Sequence, residues 1–393
     1  MNWICSQIGA REHYAIPRIL SSQGKLDRLF TDFWAGPAAR FFGPDRLKGR
    51  WNPSLEKAQV SGFNFTFFKN CLRPSPDNLY LGFIKTGSEF SKAVANQLKK
   101  LYRLNEKIFF SYDTSFLESA ETAVELGFKT VVGQMDPSRV EYEIVRKEEE
   151  AFPDWVSTPT SIPEEYFERR VKEWQIADRI MVNSPWSRSA LIQQGVPEDE
   201  ISVIPLAFEA EDNSIAHRPN ASLPLTVLFL GQVILRKGIH YLVETARLLE
   251  KEPVEFRVVG PLGINLEQIK KSPPNIRWLG PCSRIEVKQE YENADLFVLP
   301  TLSDGFAITQ IEAMAYGVPV IATPNCGSVV DEGENGWVRP DRSPETWAEK
   351  INEILTNPRQ LDPMRERAHQ KSKQFSLSQL GEHLANLELQ LLP

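Results

Sequence analysis

Asp304 and Glu312 stand eight residues apart in the segment Ser303-Asp304-Gly305-Phe306-Ala307-Ile308-Thr309-Gln310-Ile311-Glu312-Ala313-Met314-Ala315. A turn carrying Asp304 and Gly305 opens a helix here, and Glu312 falls on that helix about two turns later. A helix start presents N–H groups without intrahelical partners and the positive end of the dipole, which together suit an anion. A carboxylate at the turn can accept a sugar hydroxyl while the deeper one accepts ribose hydroxyls. The alternative is that Asp304 merely caps the helix and Glu312 is a solvated surface residue.

A second constellation is Gly231-Gln232-Val233-Ile234-Leu235-Arg236-Lys237-Gly238. A strand end, a short loop with two adjacent cations and a glycine before a helix suit a diphosphate; a solvated basic turn is the competing reading. No Asp-x-Asp dyad stands at a strand end and no His/Cys cluster has ligand spacing, so no metal site is expected.

These residues need a scaffold, and the second half of the chain supplies the clearer one. Leu225–Leu230 is an apolar run ending in Gly231, as a buried parallel strand would. Helical spacing follows over Gly238–Glu250, then Glu255–Val259 ends in Gly260, Ile276–Leu279 in Gly280 and Leu296–Leu299 in Pro300. Helices are expected over Arg284–Asn293 and about Ile308–Tyr316, with a strand at Val318–Ala322 between the latter and later helices at Pro344–Leu355, Leu361–Phe375 and Leu377–Leu391. Strands alternating with helices imply a doubly wound parallel sheet, whose ligands lie beyond the carboxyl ends of the strands.

The first half has the same character with longer insertions. Trp3–Cys5, Ile108–Ser111, Thr130–Val132 and Arg179–Val182 are expected strands; Val94–Tyr102 and Ala120–Gly127 are expected helices. Ser184 and Pro185 mark a helix start that Gly195 ends. Phe63–Lys69 alternates apolar and polar residues as a strand or packed insertion would, with a lipid-facing patch near Arg40, Arg46, Lys48 and Arg50 as the alternative. The polar stretch around Phe208–Pro224 is the linker. The expected organisation is a domain over 1–207, a linker over 208–224, a domain over 225–375 and a C-terminal helix over 376–393 that either domain could carry.

Composition fits this scheme. A chain of 393 residues with 41% hydrophobic and 25% charged residues supports two globular cores. The net charge of −7 argues against general nucleic-acid binding. Four scattered cysteines without a C-x-x-C pair suggest reduced thiols of a cytoplasmic protein. No apolar run is long enough to span a membrane, and Arg11, Glu12, His13 and Pro17 break any signal-peptide pattern, so the sequence reads as mature from residue 1.

Several motifs in order now resemble one family. Asp304 and Glu312 have the spacing of its E-x7-E motif, with Asp in the first place. Ala313-Met314-Ala315-Tyr316-Gly317-Val318-Pro319-Val320-Ile321 matches its A-M-A-x-G-x-P-V-I run, and Gly333-Glu334-Asn335-Gly336 its later turn. Glu173, Ala177-Asp178-Arg179-Ile180 and Asn183-Ser184 match its E-x3-A-D-x-I-x-x-x-S stretch. The chain thus resembles the retaining GT-B glycosyltransferases of the large family numbered four, over roughly residues 173–340. The resemblance implies an α/β fold of two Rossmann-like doubly wound domains facing across a cleft.

It also implies roles. Glu312 would bind the donor ribose, Asp304 a hydroxyl of the transferred sugar, and Arg236 and Lys237 the diphosphate. Gly231 and Gly305 would shape the two loops, and the N–H groups of Phe306, Ala307 and Ile308 would touch phosphate or sugar. Pro281 and Arg284 would line the base pocket, Gly9 would approach the donor phosphate, and Asp113 would stand near the reacting sugar. Gln232 replaces the family's usual Arg, and Ala307 its usual Gly. The implied reaction moves a sugar from a UDP- or GDP-sugar, a co-substrate rather than a cofactor, to a sugar, lipid-linked or small-molecule acceptor. No cofactor, metal or nucleic acid is expected; a peripheral membrane contact is left open. A sugar-nucleotide epimerase of the same fold and a catalytically silent sugar-nucleotide-binding protein are the alternatives.

Overall fold

The computed structural model describes residues 1–36, 47, 49–71, 78–101, 107–209 and 223–392. The first lobe runs β1 (Asn2–Gln7), α1 (Ala15–Ser22), β2 (Leu26–Thr31), β3 (Val60–Gly62), α2 (Asn64–Cys71), α3 (Leu79–Leu101), β4 (Lys107–Tyr112) and α4 (Leu117–Glu125). It continues with β5 (Lys129–Gln134), α5 (Arg139–Ala151), α6 (Glu164–Ile176), β6 (Arg179–Val182), α7 (Pro185–Gln193) and β7 (Ile201–Val203). Its strands form one parallel sheet in the order β3-β2-β1-β4-β5-β6-β7.

The second lobe begins with β8 (Leu225–Leu230), α8 (Ile239–Leu248), β9 (Val254–Val259), α9 (Leu266–Lys270), β10 (Ile276–Gly280) and α10 (Arg284–Asn293). Then come β11 (Leu296–Leu299), α11 (Thr309–Ala315), β12 (Val320–Ala322), β13 (Gly336–Val338), α12 (Pro344–Thr356), α13 (Leu361–Ser372) and α14 (Leu377–Gln390). Its sheet, also parallel, has the order β10-β9-β8-β11-β12-β13. Strand order reverses between β1 and β4 and between β8 and β11. Loops leaving those strands in opposite directions open the crevices in which such sheets hold ligands.

The central strands β8 and β11 are apolar because both faces are covered: Val227, Leu228, Phe229, Phe297, Val298 and Leu299 are all fully buried. Helix α14 does not stay with the second lobe. Leu380, Leu384, Leu387 and Leu391 pack into the first-lobe cluster with Trp3, Cys5, Ile16 and Leu20. Its Glu388 receives the Met1 amino group and Lys25 Nζ, the latter at 2.7 Å. On one edge α5 ties the lobes together. The buried Glu148 of α5 accepts from Tyr241 Oη at 2.6 Å and Arg342 Nε at 2.9 Å, and lies 2.8 Å from His240 Nε2. Below it, Asn265 N donates to Trp155 O at 2.9 Å, and its side-chain amide donates to Asp154 O at 3.1 Å.

Two expectations change. Phe63–Lys69 is largely the helix α2, because Phe63 and Phe67 lie one turn apart and anchor one face against aromatic neighbours. Phe67 stands 4.9 Å from Phe33, and Phe63 stands 5.7 Å from Phe90, ring to ring. Tertiary packing thus overrides the local alternation. The helix expected at Val94–Tyr102 is the C-terminal part of the longer α3. Most of the expected linker, residues 210–222, lies outside the described residues, as do Arg40, Arg46 and Lys48.

The first-half motif proves to be a set of ties around β6. Glu173 is fully buried and accepts the N–H groups of Thr114, Phe116 and Leu117 at 2.7, 3.2 and 3.3 Å, so α6 caps the start of α4. Asp178 accepts Thr130 N at 2.8 Å and its hydroxyl at 3.0 Å, and Ser184 caps α7 through Ser187 N. Glu173→Ala would orphan three buried donors, each costing roughly 1–3 kcal/mol. Its melting temperature should fall by about 5 °C or more; thermal unfolding within 1 °C of the parent would contradict this role for Glu173.

Candidate active site

The basic turn is fixed by a glycine that nothing else could replace. Gly238 has φ +68°, and a Cβ there would sit 1.8 Å from Pro300 O. The turn therefore lies directly against the end of β11. Leu302 N donates to Arg236 O at 2.9 Å, and Thr301 Oγ1 does so at 3.1 Å. Arg236 and Lys237 are brought onto one carboxylate, that of Asp304. Lys237 Nζ makes a short ion pair with Asp304 Oδ2, and Arg236 Nη1 reaches the same oxygen at 3.2 Å and Ser303 O at 3.1 Å.

The other oxygen of Asp304 faces its own backbone. Asp304 Oδ1 accepts Phe306 N at 3.1 Å and Ala307 N at 2.9 Å. Burial opposes charge on this carboxyl, yet Lys237 and Arg236 hold it well below the usual carboxylate range. Two N–H groups expected to be free for phosphate are therefore taken by Asp304, while Ile308 sits at the N-cap of the seven-residue α11. The capping reading and the functional reading of Asp304 thus describe two oxygens of one group. Ala307 has φ +55°, a left-handed conformation that explains why glycine is usual at this place.

Glu312 lies on α11 with Oε2 accepting from Tyr291 Oη at 2.7 Å. Burial raises its carboxyl, against Tyr291 and the nearby charge of Arg284. Arg284 is the first residue of α10, exposed at the rim together with Pro281, and Ser283 and Glu286 cap that helix reciprocally. Gly231 ends β8, and its carbonyl approaches Gly260 so closely that a Cβ on Gly260 would meet it at 1.8 Å.

The first lobe supplies the opposite wall. Gly9 has φ +81°, and its N–H donates to Asp32 Oδ1 at 2.9 Å, where Arg50 also pairs. After it, Glu12, His13 and Tyr14 have φ of +50°, +49° and +62°. Three successive side-chain-bearing residues in the left-handed region store strain of order 1–2 kcal/mol each. Glu12 lies under Tyr112 Oη at 3.1 Å, and burial pushes its carboxyl up to about 7. Burial lowers His13, and so does Arg284 of the other lobe, so this loop faces the cleft.

Asp113 is not a free carboxylate. It is buried and bonded at 2.6 Å to Arg170 Nη2, whose guanidinium also holds Asp136 at 2.7–2.8 Å. A residue that the sequence did not single out stands against the basic turn instead. Glu141, in the first turn of α5, accepts Ser303 Oγ at 3.0 Å and pairs with Arg236 at 3.5 Å. Burial pushes its carboxyl up to about 7. Nothing in the charged sequence of α5 marks Glu141 apart from its neighbours; only the facing of the lobes does. Among the described residues, no three His, Cys, Asp or Glu side chains gather as a metal site, and no helix is long and apolar enough to cross a membrane.

The residues that build the cation pair belong to a stretch with known relatives: 212–375 match the family described as glycosyl transferases group 1. This stretch is similar to the group 1 glycosyl transferase domain. A D-inositol 3-phosphate glycosyltransferase of Corynebacterium urealyticum is 28% identical over 254 residues, covering 56% of this chain and 59% of that protein. A putative colanic acid biosynthesis glycosyltransferase of Salmonella typhimurium is 26% identical over 215 residues, covering 50% and 53%. The chain thus matches a little over half of the length of these curated relatives. Across nearly its full length it superposes on Alr3699/HepE of Anabaena, solved in complex with UDP, with a TM-score of 0.65, 16% identity and 99% of each chain covered. The fold is GT-B, and the stretch that matches the group 1 model lies mostly in its second lobe.

The lobes meet most tightly at Gly305 of the group 1 domain. A Cβ there would stand 2.1 Å from Met135 O and 2.8 Å from the Asn183 side chain, both of the first lobe. Trp186 Nε1 donates to Ser303 Oγ at 3.1 Å beside it. Gly305→Ala should force this contact open without unfolding either sheet. Hydrogen exchange should accelerate in residues 300–308 and 183–187 only; unchanged exchange there would show that the contact tolerates a methyl group.

Proposed function

We propose that the chain is a glycosyltransferase that moves a sugar from a nucleoside-diphosphate sugar, UDP- or GDP-linked, onto an acceptor in the first lobe. The observation that carries this reading is the pair of cations, Arg236 and Lys237, held at the strand-order reversal of the group 1 domain and turned toward the facing lobe. A departing diphosphate needs positive charge fixed in place before it leaves, in a site shielded from water. The names of the relatives as glycosyltransferases and the UDP complex of the Anabaena protein support the same reading.

In this scheme Arg236 and Lys237 neutralise the diphosphate and Glu312 accepts ribose hydroxyls through the oxygen that Tyr291 leaves. Asp304 is released from the cations as the diphosphate arrives, and can then accept a hydroxyl of the transferred sugar while keeping its backbone bonds. Pro281 and Arg284 border the base. The resemblance supports retention of anomeric configuration, with the acceptor attacking on the face from which the diphosphate departs and the leaving phosphate taking its proton. No metal enters the scheme. The acceptor class is a polysaccharide, glycolipid or small glycoside, met in the cytoplasm or at a membrane surface.

Thermal-shift measurements against UDP-, GDP- and ADP-sugars, each with magnesium and with EDTA, test the donor reading. One nucleotide class should raise the melting temperature equally in both buffers, because only ligands of the native state stabilise it. A shift seen only with magnesium would refute the metal-free scheme, and no shift with any sugar nucleotide would refute the donor site.

The cation pair can be tested apart from stability. Lys237→Ala should lower kcat/KM at least tenfold, the loss of a charge-assisted bond of roughly 1.5–3 kcal/mol. It should also lower the melting temperature, since Asp304 then keeps only Arg236 against its burial. Adding Asp304→Asn should restore the melting temperature but not the activity. Wild-type kinetics in Lys237→Ala would reduce the turn to a structural feature.

A further inference from the structure

Glu141 occupies a place that the proposed reaction leaves without a task. It comes from the lobe opposite the cations, yet its Oε2 lies 3.5 Å from Arg236 Nη1 and accepts Ser303 Oγ at 3.0 Å. Its carboxylate is only 17% exposed. The charged and titratable groups facing it come from every neighbouring element. They are Arg236 of the basic turn, Asp304 after β11, Asp136 after β5 and Tyr80 of α3, with Arg170 of α6 behind Asp136.

Charge around the basic turn is balanced locally when Glu141 is ionised: Arg236 and Lys237 then carry two positive charges, and Asp304 and Glu141 two negative ones. A diphosphate brings at least two further negative charges to the same two cations. Asp304 keeps its charge even when the cations release it, because Phe306 N and Ala307 N still donate to its Oδ1. Among the described residues Glu141 has no backbone donor, only a serine hydroxyl and one long contact with Arg236, and its neighbours Asp136 and Asp304 repel its charge.

We propose that Glu141 is a protonation gate on the donor site: it holds Arg236 while the cleft is empty, and takes one proton from solvent when a nucleoside diphosphate claims that arginine. The protonated carboxyl still meets Ser303, whose hydroxyl can turn to accept instead of donate, and the added proton removes the repulsion between Glu141 and the diphosphate. The gate rests on the donor reading of Arg236 and Lys237. Its sign follows from linkage. Burial raises the free carboxyl to about 7, and the diphosphate raises it further, so binding is favoured when Glu141 is protonated. Below about pH 7 the affinity should be insensitive to this group; above it, affinity should fall as pH rises.

Isothermal calorimetry of UDP and of GDP with the full chain tests this between pH 7.5 and 8.5, where the terminal phosphate is already ionised. For the nucleotide that binds, Kd should rise roughly five- to tenfold across that unit of pH, with close to one proton taken up, as judged from heats in two buffers of different ionisation enthalpy. In Glu141→Gln, which preserves shape and the Ser303 contact, Kd should be flat over the window and lower than the parent's at pH 8.5. Equal pH dependence in parent and variant, or no proton uptake by the parent, would overturn the gate while leaving the donor site intact. The parent measurement decides the matter alone if the variant does not fold. Failure of both nucleotides to bind at any pH would remove the donor reading, and the gate with it.

Discussion

One constraint organises the cleft: two cations and a carboxylate are buried together, and none of them tolerates being alone. An unpaired charge out of water costs several kcal/mol, so the chain around Asp304 is built to keep all three in register. Gly238 lets the basic turn lie on Pro300, Thr301 and Leu302 grip the carbonyl of Arg236, and the backbone of Phe306 and Ala307 fixes the far oxygen of Asp304. The left-handed Ala307 is a cost of bringing that N–H onto the carboxylate. The site is thus paired in charge on its own, and in the proposed reading a diphosphate would enter by exchanging places with a carboxylate.

The facing lobe adds a second layer to the same network. Asp113, Asp136 and Arg170 form a salt cluster near Glu141, whose carboxylate pairs with Arg236 of the second lobe. Along α5 the helix performs two duties. Its first turn presents Glu141 to the cations, and its last turn presents Glu148 to His240, Tyr241 and Arg342. The lobes therefore share one rigid element at both the tied edge and the proposed reacting centre.

Much of the second lobe was legible because its strands are short apolar runs ending in glycine or proline, and its helices carry plain apolar spacing. Lys237, Asp304 and Glu312 could be singled out because the basic turn and the eight-residue spacing lie within short segments. The first lobe was less legible for physical reasons. Helix α5 is largely charged, so its inner face is set by ion pairs that periodicity does not register. Asp113 looked free because its partner, Arg170, lies 57 residues away. The left-handed run Glu12–Tyr14 has no glycine to announce it, and of the two readings of Phe63–Lys69 the strand fails while the packed insertion fits α2, since alternating phenylalanines suit both periods.

The path of α14 has a consequence for how the protein is made. The first lobe leaves the ribosome before the second, yet part of its core, Leu380, Leu384, Leu387 and Leu391, is synthesised only after the second lobe. Until then the cluster of Trp3, Cys5, Ile16 and Leu20 lacks those leucines. The second lobe, whose own core is continuous from Leu225 to Phe375, can close while the first still waits. Synthesis and assembly thus run in opposite orders, and a nascent chain exposes its earliest hydrophobic surface for longest, the interval in which a chaperone would have most to hold.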